Sequence, residues 1–198
     1  MRTVLLAVLL LVAGCAASDA GSDASPPSAS SLTPSGPAGF DQALHDELLA
    51  MLERDQSGRT GGSDAEGDAA RTERMQEILT DHGWPTFDLV GEDGEDAAWA
   101  IVQHSDQDPV FQREALELLR AAVAAGQGSP GNLAYLTDRI AANAGERQTY
   151  GPQVGCGPDG PVSAPLADEA AVDVRRAEVG LEPLADYLTE MAAVCAAD

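Results

Sequence analysis

The chain has 198 residues, 44% of them apolar but only 4% aromatic, so it can bury a core and that core must be mostly aliphatic. Its 33 acidic side chains face 11 basic ones, all arginine, and the net charge of −22 excludes nucleic acid as a partner, because such binding rests on neutralising phosphates with basic groups. The same charge repels anionic lipid, so membrane attachment has to come from something other than surface electrostatics.

The chain opens on a short basic start, Met1-Arg2-Thr3. An unbroken apolar run follows from Val4 to Val12, too short to span a bilayer, which takes about 20 apolar residues. Val12-Ala13-Gly14-Cys15 comes next and resembles the lipobox of bacterial lipoproteins. The expectation is a signal peptide over residues 1–14, cleavage before Cys15, and lipid on that thiol. The lipid would hold the protein on the outer face of the cytoplasmic membrane. Residues 16–39 are Ser, Ala, Pro, Gly and Asp with almost nothing apolar, a composition that reads as a disordered tether. Residues 40–198 then form one domain by length.

Helical spacing dominates that domain. Asp41 to Glu53 places Leu44, Leu48, Leu49 and Leu52 on one stripe, and Ala69 to His82 does the same with Met75, Ile78 and Leu79 before Gly83. Trp84 to Val90 reads as an extended connector, turned by Gly91 to Gly94. Asp96 to His104 is a short helix. Asp108-Pro109 and Ser129-Pro130 each open a helix, with the polar residue as N-cap and proline at the first position. Glu146 to Pro165, rich in Gly and Pro, is an irregular arm. Asp168 to Val179 and Pro183 to Val194 close the chain as helices joined at Gly180. The fold class expected is all-α, a single compact domain of about seven helices.

With Cys15 given to lipid, Cys156 and Cys195 remain. Two thiols in an oxidising compartment suggest one disulfide, Cys156 to Cys195, the alternative being two free buried thiols. Gly155 to Gly160 spells a dinucleotide fingerprint, but Pro158 and Pro161 interrupt it and no apolar strand precedes it, so it reads as turns. Gln127 to Gly131 lacks the first glycine of a nucleophile elbow, and Asp106-Gln107-Asp108 lacks the rest of a calcium loop. No cofactor and no metal site is implied.

Four groups of residues stand out in order. They are Gln103-His104-Ser105-Asp106-Gln107-Asp108 with Phe111-Gln112, Leu136-Thr137-Asp138-Arg139, Gln148-Thr149-Tyr150-Gly151-Pro152-Gln153, and Asp173-Val174-Arg175-Arg176 with Val179-Gly180-Leu181 and Pro183-Leu184. Together they resemble the motifs of a bacterial domain family of unknown function, over a stretch from about Leu48 to Met191. Pro152 departs from the threonine usual in that pattern. The resemblance implies no reaction.

Read from their chemistry, Gln103, His104, Gln112, Asp138, Arg139, Tyr150 and Gln153 are candidates to line one polar pocket. His104 with Asp106 or Asp138 would supply acid and base, and Arg139 a cation for an oxyanion or carboxylate. Each has a plainer reading: His104 as a helix C-terminal residue, Asp108 as an N-cap, Asp138 and Arg139 as ion pairs to the arm. Asp55 and Arg59 read as a helical i,i+4 pair, weak if exposed. The expected function is a lipid-anchored binding or interaction module of the cell envelope, its ligand small and polar or cationic. The alternative is a hydrolase or transferase built on His104 with Asp106 or Asp138.

Overall fold

The computed structural model describes residues 39–158 and 160–196; the proposed signal peptide, Cys15 and nearly all of the tether lie outside them. Among the described residues the domain is all-α, with seven α-helices and one two-stranded hairpin. The helices are α1 (Gln42–Arg59), α2 (Gly67–His82), α3 (Phe87–Gln103), α4 (Pro109–Ala124), α5 (Pro130–Asn143), α6 (Val172–Glu178) and α7 (Leu184–Cys195).

Local chemistry starts several of these helices. Asp41 Oδ1 accepts from Leu44 N at 3.0 Å, Asp108 Oδ1 from Phe111 N at 3.0 Å and Ser129 Oγ from Asn132 N at 3.2 Å. Each satisfies an amide that the helix itself leaves without a partner. The segment expected to be extended, residues 87–90, is instead the first turn of α3. Thr86 precedes it in β conformation, and Gly91 breaks the helix at φ 78°, ψ 171° before it resumes. Only glycine adopts that conformation without strain.

Helix α3 is the centre of the domain and packs against α1, α2, α4 and α5. It buries Val90, Ala97, Ala98, Ile101 and Val102. Leu44, Leu48 and Met51 of α1, Met75 and Ile78 of α2, and Phe111, Ala115 and Leu119 of α4 close over it. The spacings are those of single helical faces, and the core is mostly aliphatic as the composition requires.

The arm is less irregular than its composition suggests. It carries β1 (Val154–Gly157) and β2 (Gly160–Ser163), antiparallel with Cys156 opposite Pro161. The turn reading of Gly155 to Gly160 is therefore corrected to a hairpin. A disulfide joins Cys156 to Cys195 and ties the hairpin to α7, a helix with no fully buried residue. Tyr187 adds a second tie by donating from its hydroxyl to Pro152 O at 2.9 Å. No described helix is long and apolar enough to cross a membrane.

Candidate functional site

The polar residues do not converge on one pocket. They separate into three groups, and the separation decides what each can do.

The first group lies where the end of α1, the start of α2 and the end of α3 meet. The carboxylate of Asp55 is fully buried there. His104 places Nδ1 2.8 Å from Asp55 Oδ2, and Arg59 Nη2 donates to Oδ1 at 2.9 Å. Arg71, 2% exposed, donates to both oxygens of Asp64 at 2.8 Å and to Asp68 at 2.6 Å. Burial alone would raise the Asp55 pKa, but hydrogen bonds from His104 and Arg59 and their charges outweigh it and hold it at about 2. Arg59 Nε also reaches His104 Nδ1 at 3.1 Å. Thr72 donates to Ser105 Oγ at 2.9 Å and Ser105 donates to Ile101 O at 2.8 Å, tying α2 to α3 just beyond the histidine. The pairing of His104 with Asp106 or Asp138 is thus corrected: its carboxylate is Asp55. The Asp55–Arg59 pair is buried on its acidic side, not a surface pair.

The second group is Asp106, Arg139, Asn143, Gln112 and Gln153. Arg139 grips Asp106 two-pronged, through Nε at 2.9 Å and through Nη2. Asn143 Nδ2 adds a bond at 2.7 Å and Gln112 Nε2 one at 3.2 Å. Burial opposes ionisation of Asp106, but the bonds from Arg139 and Asn143 more than offset it and lower its pKa. Arg139 Nη1 also donates to Gln153 Oε1 at 3.2 Å. Beside this pair a cleft of about 320 Å³ opens between α5 and the hairpin. Arg139, Asn143, Gln153 and Ser163 give it polar walls, and Ala142, Val154 and Val162 apolar ones.

The third group braces the arm. Asp138, fully buried, accepts from three successive backbone amides: Thr149 N at 2.7 Å, Tyr150 N at 2.6 Å and Gly151 N at 2.9 Å. Gly151 sits at φ 79°, and a Cβ there would meet Leu166 at 2.9 Å. Arg175 and Arg176 hold the carbonyls of the same turn, donating to Thr149 O at 2.8 Å and Tyr150 O at 3.0 Å. Gln148 receives Gln153 N and donates to Gln153 O and Ala164 O. Tyr150 enters this brace through its backbone.

The buried side-chain atoms of the first two groups all have partners, and the third leaves one without, on Arg176. Among the described residues, buried side-chain atoms without a protein partner are Trp99 Nε1, Gln103 Oε1, Ser163 Oγ and Arg176 Nη2. None belongs to the group around Asp55. Three lie along the seam of α3, α5 and the hairpin. Helix α3 and the turn after it follow α5 in register: Glu95 accepts from Asn132 at 2.8 Å, Trp99 meets the Tyr135 ring edge-on at 5.8 Å, and Asp106, in the turn, holds Arg139. Gln103, 7% exposed, ends α3 between the last two of these contacts.

Sequence reasoning missed Arg71, Arg176 and Glu95 as buried ionisable groups. Glu95 is fully buried; burial is the main cause of a pKa raised to about 7, against hydrogen bonds from Trp84, Ser129 and Asn132. Among the described residues no three His, Cys, Asp or Glu side chains come together as metal ligands.

Residues 42–195 match a family of unknown function, DUF6624, and the chain belongs to that family. No curated protein and no solved structure matches the chain.

Proposed function

We propose that the protein is a lipid-anchored binding module of the cell envelope. It holds a small polar ligand in the cleft beside Arg139. The anchor rests on Val12-Ala13-Gly14-Cys15. The site rests on one observation: the cleft between α5 and the hairpin is lined by Arg139, Asn143 and Gln153 together with Ser163, whose buried Oγ has no hydrogen-bond partner among the described residues. Buried polar groups are ordinarily bonded, and those that are not call for a functional account.

The cleft's chemistry narrows the ligand. The charge of Arg139 is already balanced by Asp106, so the cleft offers directed donors and acceptors more than net charge. An uncharged or zwitterionic ligand fits this, and the net charge of −22 disfavours polyanions. The acid–base reading has less support, because Asp106 and Asp138 are committed to Arg139 and to the arm's backbone.

A thermal-shift screen of sugars, amino acids and short peptides tests the reading. A ligand of this cleft raises the melting temperature of the wild-type protein and moves the amide signals of Gln153 and Ser163. Arg139→Ala and Gln153→Ala remove both effects. A stabilising ligand that acts equally on both variants refutes the site.

A further inference from the structure

A groove lies between α2 and α4. Its floor is Leu79, Phe111 and Ala115, at 8%, 5% and 0% exposed. Its apolar wall is α4, where Val110 is 58% and Leu118 37% exposed. These two residues lie about 12 Å apart along the helix at 1.5 Å per residue. The hollow measures about 320 Å³ and continues along α2 through Thr72, Glu73, Gln76 and Asp81.

The charge around this apolar strip has one sign. Five carboxylates line the groove and its extensions, Glu73, Glu77, Asp81, Asp108 and Glu114, and no Arg or His lines it among the described residues. Asp108 is occupied by its N-cap bond and by Gln76 Nε2 at 2.9 Å. Glu77 is engaged by Arg74. Glu73, Asp81 and Glu114 have no ion-pair partner among the described residues.

We infer that the α2–α4 groove docks a cationic amphipathic helix of a partner protein. Apolar side chains spaced one and two turns apart fill the floor between Val110 and Leu118, and flanking Lys or Arg residues meet Glu73, Asp81 and Glu114. An apolar groove read at i, i+3/i+4 and i+7 is a recurrent mode of helix recognition. The carboxylates that attract such a segment repel anionic lipid headgroups, which sets a protein segment ahead of the membrane as the occupant. This surface is separate from the Arg139 cleft, and neither inference depends on the other.

The test uses the full-length chain and three fluorescent 18-residue peptides. One is a Leu/Lys sequence of helical period, one has Ser for each Leu, and one has Glu for each Lys. The Leu/Lys peptide binds and shifts the amides of Gln76, Thr80, Val110 and Leu118. The Ser/Lys peptide binds at least tenfold more weakly, and the Leu/Glu peptide does not bind. Val110→Lys with Leu118→Lys, and separately Glu73→Lys with Glu114→Lys, each weaken Leu/Lys binding tenfold or more. Melting stays unchanged, since the altered side chains are not part of the core. Equal binding of the Ser/Lys peptide, wild-type affinity in either double variant, or no binding of the Leu/Lys peptide overturns the inference. Self-association that Leu118→Lys abolishes would make the occupant a second copy and overturns it too.

Discussion

His104 directs Nδ1 to Asp55 Oδ2 at 2.8 Å, across 49 positions of sequence, and the carboxylate it meets is fully buried. The contact joins the end of α1 to the end of α3 and makes a pH-dependent brace. The Asp55 pKa is lowered from 3.8 in the unfolded chain to about 2 in the fold. Its contribution is therefore fully present above the unfolded value and is lost as pH falls through about 2. The size is about 2 kcal/mol at 1.36 kcal/mol per unit. Urea unfolding from pH 5 down to pH 2 measures it. Asp55→Asn should remove that part of the slope, and an unchanged slope would show that the brace does not titrate.

Glu95 works in the opposite sense. Its carboxyl is raised from 4.5 to about 7 by burial, so the fold favours the protonated form. Its share of stability is greatest below pH 4.5 and declines as pH rises towards 7, by about 3 kcal/mol in total. Wild-type protein should lose stability between pH 5 and 8 relative to Glu95→Gln, as read by paired denaturant titrations. Parallel pH profiles for the two proteins would contradict this.

Asp138 should control the order of the arm. Asp138→Ala leaves three adjacent amides without their acceptor, at about 1–3 kcal/mol for each one left buried. Hydrogen exchange at Thr149, Tyr150 and Gly151 should accelerate well before exchange at core amides of α3 does. Protection that stays at wild-type level at these three amides would remove Asp138 from its role.

The disulfide should carry much of the attachment of α7, which buries no residue fully. Closing a loop across 39 positions stabilises by about 3–4 kcal/mol in the chain-entropy account. Reduction, or Cys156→Ser with Cys195→Ser, should lower stability by about that amount and release α7 first. Two thiols that alkylate freely in the natively purified protein would contradict the bond.

The helices were legible because their signals are local. Asp108-Pro109 and Ser129-Pro130 announce their helices within two residues; of the stripe Leu44, Leu48, Leu49 and Leu52 the first two are buried, while Leu49 and Leu52 are only partly so and Met51 completes the inner face. Residues 87–90 misled because Trp84-Pro85 suggests an extended chain, whereas Thr86 and the break at Gly91 enclose a short helical turn. The hairpin gave no alternating pattern; Val-Gly-Cys-Gly and Gly-Pro-Val-Ser are held by the disulfide and α7, not by strand propensity. The polar residues were legible as a set but not in their pairing. Asp55 looked like half of a surface pair with Arg59 because nothing nearby in sequence shows that His104 and Arg71 close over it.

The anchor is tested apart from the fold, since it lies outside the described residues. Cys15→Ala should leave an uncleaved precursor or release the protein to the medium. Fractionation of this variant with membranes in the mature acylated form would reject lipid attachment at Cys15.

On the proposed function the fold divides its labour: the group around Asp55 holds the structure, and the cleft beside Arg139 takes a ligand. Unfolding free energies of Asp55→Ala and Arg139→Gln, measured side by side in urea at pH 7, test it most directly. Asp55→Ala breaks a buried charge group and should lose about 3–5 kcal/mol. Arg139→Gln breaks a pair whose side chains are 30% and 38% exposed. It should lose no more than about 1 kcal/mol, as for partly exposed pairs. A loss in Arg139→Gln as large as that in Asp55→Ala would make the Arg139 group a second brace and contradict the account.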